Sequence, residues 1–201
     1  MFKILHPKYA IKITEPVFPQ HLIDDLLDRI GYPESLQAHS GLYHPSYTWP
    51  CVVQMHKLMS NFVKPLDLIV SEIQYHYWNK EHDLGFPHVD VLPDVSNTGG
   101  YVPLYFRLNF CIFGKDSTME WYENYNENDM YYETTDTTSH GILINRELKP
   151  SYIMPACNCI VNTITPHNIK LYSENKLTIS TRFRNTYPFE ELVDRIQKLN
   201  A

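Results

Sequence analysis

The feature that most constrains this chain is a change in the period of its apolar residues near position 68. Upstream of it, Leu22, Ile23, Leu26, Leu27 and Ile30 recur at helical spacing within residues 20–31, and Gly31 stands where a helix C-cap favours glycine. Residues 51–63 repeat the pattern with Val52, Met55, Leu58, Met59 and Phe62 on one side, and Pro65 closes it. From residue 68 to 78 the chain alternates instead, with Ile69, Ile73, Tyr75 and Tyr77 on one face and Glu72, Gln74 and His76 on the other. Residues 101–113, 142–145, 159–164, 169–172 and 176–184 add strand-like runs between turn-forming clusters. The helical period returns at 188–199 through Phe189, Leu192, Val193, Ile196 and Leu199.

Helices first, then many short strands and a closing helix, predict a mainly β fold with flanking helices, its core a jelly roll (double-stranded β-helix). With 201 residues, 43% of them hydrophobic, the chain is expected to form a single domain: helical N-terminal support over 1–66, the β core over 67–186 and the C-terminal helix over 187–201. That last helix is expected against the outside of the sheet, with a homodimer contact as the alternative. Residues 116–140, polar, acidic and rich in tyrosine, read as a long surface loop and a candidate for substrate contact.

Composition narrows the partners. The net charge is −6 and the basic residues form no run, which disfavours a nucleic-acid backbone or an anionic membrane. No stretch is apolar for long enough to span a bilayer, and the first residues lack the apolar core of a signal peptide, so a cytoplasmic location is expected. Cys51, Cys111, Cys157 and Cys159 include no CxxC pair and read as buried thiols. A thiolate metal site at Cys157 and Cys159 is disfavoured by its spacing.

The chemistry-bearing pattern is His88-Val89-Asp90. Residues two apart on an extended segment project from one face, so both side chains can grip one ion. Among ten histidines and 23 acids such a pair arises by chance, and its weight comes from context. That context is His167, a third donor set in a later apolar β run. Two imidazoles and one carboxylate occupy one face of an octahedron and leave open positions, an arrangement that suits Fe(II). After a tight turn at Ser173, Glu174 and Asn175, the strand at 176–184 presents Lys176, Thr178, Ser180, Arg182 and Arg184 on one face. A cation with a hydroxyl two residues on suits a dicarboxylate, although the same alternation also describes a solvent face.

On His88, Asp90, the distal His167, and the cation and hydroxyl at Lys176 and Thr178, the chain resembles the Fe(II)/2-oxoglutarate-dependent oxygenases, and among them the small prolyl-hydroxylase-like and aspartyl/asparaginyl-hydroxylase-like members. The resemblance covers residues 69–184. Family members often carry Arg-x-Ser where this sequence has Lys-x-Thr, a change that keeps the charge and loses the bidentate fork. It implies His88, Asp90 and His167 as ligands to Fe(II), 2-oxoglutarate as co-substrate held by Lys176 and Thr178, and O2 as the oxidant. The product is then a hydroxylated peptide, amino acid or other small molecule. Arg182 is the alternative anchor, as the basic residue lies further from the distal histidine in other branches. The resemblance also implies pocket contacts from Tyr77, Arg107 and Asn109. A cupin-like metalloprotein without 2-oxoglutarate and a non-catalytic jelly-roll module are the competing readings.

Overall fold

The structure is a computed structural model that describes residues 1–31, 41–43, 48–79, 87–93, 101–114, 116–134, 139–143, 147–172, 175–185 and 187–201. Its elements in chain order are β1 (Phe2–His6), β2 (Ala10–Ile13), α1 (Gln20–Ile30), β3 (Gly41–Tyr43), α2 (Pro50–Val63), β4 (Val70–Asn79), β5 (His88–Pro93), β6 (Tyr101–Pro103) and β7 (Phe106–Phe113). There follow β8 (Ser117–Trp121), β9 (Met130–Thr134), β10 (Ser139–Leu143), β11 (Tyr152–Pro155), β12 (Cys159–Asn162), β13 (His167–Leu171), β14 (Asn175–Phe183) and α3 (Phe189–Asn200). The protein is mainly β. One sheet runs β1-β2-β12-β7-β14-β4-β3 and the other β11-β8-β13-β5-β10-β9, with β6 beside β5. Their pairings are antiparallel.

The first sheet has two unlike faces, and β14 at its middle shows why. Leu177, Ile179 and Phe183 alternate with Lys176, Thr178, Ser180 and Arg182, and both sets are buried. The apolar set joins Ile11, Ile73, Leu108, Phe110 and Ile160 in one core with α1 (Leu22, Leu26), α2 (Val52, Met55, Met59) and α3 (Phe189, Leu192, Ile196). The helices therefore cover one face of this sheet. The other face meets the second sheet: Cys159 and Val161 of β12 pack on Met119 and Trp121 of β8 and Met154 of β11. The polar row on β14 is thus interior, and the solvent-face alternative is excluded by its burial.

Several expectations need correction. The run at 101–113 divides into β6 in the second sheet and β7 in the first. Pro103 has no N–H to continue a ladder, and the chain crosses between sheets at Leu104 and Tyr105, where the Leu104 N–H bonds to Asp90 O at 3.1 Å. Residues 116–140 are not one surface loop. They contain β8, β9 and the start of β10, and Trp121 is fully buried because Ser117, Met119 and Trp121 alternate inward. The segment 1–66 supplies three strands to the first sheet besides α1 and α2. The expected turn at Ser173 and Glu174 lies outside the described residues, as do residues 135–138 of the acidic segment.

Two local features hold β14 in place. Gly114 ends β7 at φ 75°, and a side chain there would collide with the backbone of Asn175 and Lys176. On α3 the apolar stripe is taken up within the chain, and Tyr187 and Arg195 both hydrogen-bond to Leu66 O, at 2.6 and 3.2 Å. Leu192→Ala is expected to cost ~2–5 kcal/mol by cavity formation. Leu199→Ala, at a residue 48% exposed, is expected to change stability by under ~0.5 kcal/mol. Urea unfolding of both variants distinguishes a helix packed on its own core from one whose apolar stripe serves another chain.

Candidate metal centre

His88, Asp90 and His167 come together between the sheets. One donor atom from each lies within 4.8 Å of the others, and among the described residues this is the one such group of three histidine, cysteine or acidic side chains. His88 and Asp90 stand two apart on β5, and His167 at the start of β13 is directly opposite His88. Asp90 and His167 are buried, and His88 is half-buried. The centre is closed on one side and reachable at His88.

The position of His167 is fixed by the crossing from β12 to β13. Asn162 ends β12, and its Oδ1 accepts the N–H groups of Ile164 and Thr165 at 3.0 and 3.4 Å while its Nδ2 donates to Lys8 O at 2.7 Å. Trp121, opposite His167, donates its indole N–H to Asn162 O at 3.0 Å. These bonds replace the ladder that the crossing interrupts. The Nδ1 of His167 lies 3.1 Å from Thr165 O, so it carries the proton and Nε2 keeps the lone pair a metal needs.

Asp90 is held from three directions. Its N–H donates to Thr163 O at 2.9 Å and its carbonyl accepts from Leu104. Its carboxylate meets Arg107 of β7, Oδ2 to Nε at 2.6 Å, with both side chains about 5% exposed. Burial lowers the Arg107 guanidinium to about 10 against the opposing pull of Asp90, so it stays charged at neutral pH. Arg107 also reaches Gln74 Oε1 at 3.3 Å, Gln74 donates to Glu72 Oε1 at 2.5 Å, and Arg182 donates to the same Glu72 oxygen at 2.8 Å. Two acids and two guanidinium groups alternate along this line. Each buried charge has an opposite neighbour, which removes most of the penalty for leaving water.

The other sequence-derived residues divide clearly. Lys176 and Thr178 face the interior beside the second sheet. Lys176 is 5% exposed and its one hydrogen bond among the described residues goes to Ser117 Oγ of β8, at 2.7 Å. Burial lowers its ammonium, and the neighbouring thiols of Cys111, Cys159 and Cys157 oppose this. Thr178 Oγ1 and Ser180 Oγ are buried with no hydrogen-bond partner among the described residues. Asn109 is half-buried and directly opposite Ser180 and Cys159. Tyr77 is not at this site: it packs with Tyr75, Leu177 and the partly buried Leu27 and Ile30 of α1, on the helix side of the sheet. Arg184 is exposed. Ser117, the partner of Lys176, had only its place at the head of the Ser117, Met119, Trp121 alternation to reveal it.

No protein-family model matches the chain, and no curated protein matches it. A solved structure similar to it is the X-ray structure of E. coli ycfD, at 14% sequence identity and a TM-score of 0.38, over 72% of this chain and 36% of that one.

The centre predicts two distinct effects. His88→Ala is expected to abolish binding of Mn(II) or Co(II), read by equilibrium dialysis, because two donors remain. Arg107→Gln keeps all three donors and is expected to weaken that binding ~10–100-fold by freeing the Asp90 carboxylate to reorient. Unchanged affinity in the Arg107 variant would show that Asp90 is held well enough by its backbone.

Proposed function

We propose that the chain is an Fe(II)- and 2-oxoglutarate-dependent oxygenase that hydroxylates a C–H bond of a peptide, amino acid or other small molecule. Two facing antiparallel sheets, with consecutive strands such as β12 and β13 in different sheets, support a jelly-roll core for it. The observation that carries the reading is Lys176: a buried ammonium with a neutral hydroxyl as its hydrogen-bond partner, two residues from the buried hydroxyl of Thr178, which has no partner among the described residues, on the face that meets the metal ligands' sheet. A buried cation of this kind favours an anion, and the adjoining hydroxyl adds a donor to the same ligand.

The donors fit the metal. Two neutral imidazoles and one carboxylate on one side of an ion leave the remaining positions for a chelating keto acid and O2. When bound, Fe(II) with 2-oxoglutarate and O2 supplies the oxidising equivalent for hydroxylation, with succinate and CO2 as co-products. The protein's share is positioning. Arg107 keeps the Asp90 carboxylate oriented, and the Thr165 carbonyl holds the His167 tautomer. Lys176 and Thr178 take the far carboxylate of the co-substrate. Arg182 is engaged by Glu72, which favours Lys176 over Arg182 as the anchor.

Localisation follows the same reading. Among the described residues no helix is long and apolar enough to cross a membrane, and all four cysteines are free thiols, in keeping with a cytoplasmic enzyme.

Aerobic incubation with Fe(II) and 2-oxoglutarate, without prime substrate, is expected to release succinate slowly. Lys176→Met is expected to retain the metal and raise the 2-oxoglutarate requirement at least ~10-fold, the loss of one charge-assisted bond. Arg182→Met should alter stability more than this requirement. No succinate from the metal-loaded protein would count against the oxygenase, and the opposite ranking of the two variants would move the anchor to Arg182.

A further inference from the structure

Three of the four cysteines lie near Lys176, and the proposed metal chemistry gives their thiols no role. Cys159 on β12 is directly opposite Asn109 of β7, and Cys111 of β7 is directly opposite Thr178 of β14. Asn158 pins the turn between Cys157 and Cys159 on both sides. Its Oδ1 accepts the Cys111 N–H at 3.0 Å, and its carbonyl accepts the Ile13 N–H at 2.9 Å. The Cys159 thiol turns back toward its neighbour and donates to Cys157 O, Sγ to O 3.2 Å.

The two thiols differ in the ways a reactive pair requires. Cys157 is half-buried and so reachable, whereas Cys159 is 3% exposed. The adjacent Cys159 thiol, helped by the positive charges of Lys12 and Lys176, lowers the Cys157 thiol to about 7 against the effect of burial. The Cys157 thiol, together with burial, pushes Cys159 up, so it stays protonated. Two residues apart on an extended chain means Cα atoms about 6.6 Å apart, within the span a disulfide bridges, and the bend at Asn158 shortens it. Cys51, on α2 facing α1, is 1% exposed and pushed up by burial and Asp25, which leaves it unreactive.

We propose that Cys157 and Cys159 form a hydroperoxide-reactive dithiol, with Cys157 as the attacking thiolate and Cys159 as the resolving thiol. The Cys157 sulfur attacks the terminal oxygen of the peroxide, the O–O bond breaks, and the leaving alkoxide or hydroxide takes a proton from solvent to leave as alcohol or water. Cys157 is then a sulfenic acid. The Cys159 sulfur attacks it, the S–O bond breaks, and the departing hydroxide takes the Cys159 proton and leaves as water. The peroxide is reduced and the pair is oxidised to a disulfide. Oxidation also converts two of the three thiols near Lys176, so the state of the pair is felt at that ammonium.

The test does not depend on the oxygenase reading, since its readouts are mass and thiol content. The reduced, full-length protein is treated with one equivalent of H2O2, alkylated and mapped by mass spectrometry. The expected product has lost two hydrogen atoms within the peptide that holds Cys157 and Cys159, with Cys51 and Cys111 alkylated. In Cys159→Ser the reaction is expected to stop at a sulfenic acid on Cys157 that dimedone traps. In the unmodified chain, iodoacetamide should label Cys157 first, with a rate half-maximal near pH 7 and a higher midpoint in Lys176→Met. Oxidation at Cys51 or Cys111 as fast as at Cys157, or a Cys157→Ser variant oxidised as fast as the parent, would overturn the assignment. So would first labelling at another cysteine in the unmodified chain.

Discussion

The ion pair between Asp90 and Arg107 joins the two sheets through buried charges. A carboxylate and a guanidinium both about 5% exposed cannot each be taken from water without a partner, because an isolated buried charge costs several kcal/mol or more. Their pairing across the interior ties β5 of one sheet to β7 of the other. Glu72, Gln74 and Arg182 extend the pair into a charge-balanced line across β4, β7 and β14. The Asp90 carboxylate is thereby oriented by the same interaction that ties the sheets together.

Against this balanced line, Lys176 stands out. It is buried on the same strand as Arg182, yet its hydrogen-bond partner is Ser117 and its titratable neighbours are thiols. Two cations six residues apart on β14 have therefore been treated differently: one is neutralised within the fold, the other is left to interact with something that enters. The apolar side of β14 makes this possible. Leu177 and Ile179 lock the strand against the helical layer, so its polar side need not contribute to packing.

Much of the site was readable because strand periodicity is a local property. The two-residue spacing of His88 and Asp90 and the alternation of Lys176, Thr178, Ser180 and Arg182 survive intact in β5 and β14. Tyr77 shows the limit of carrying a role over by position: its own alternation with Ile73 and Tyr75 already placed it opposite Gln74 and His76, on the helix side. The partnership of Arg107 with Asp90 was not readable, since it depends on the register of strands in different sheets. The strand β8 was hidden by its polar neighbours, and β1 and β2, of five and four residues, are too short to declare a period beside the helix that follows them. In each case the missing information was long-range pairing, which no window of sequence contains.

The central claim is that the metal centre and Lys176 are two ends of one co-substrate site. Calorimetric titration of 2-oxoglutarate into the protein, under nitrogen, with and without bound Mn(II), tests it most directly. The account predicts one equivalent bound to the Mn(II)-loaded protein and binding at least ~100-fold weaker without metal, since chelation and the charge-assisted bond to Lys176 act on one molecule. Equal affinity in the two states, or no binding to the metal-loaded protein, would contradict it.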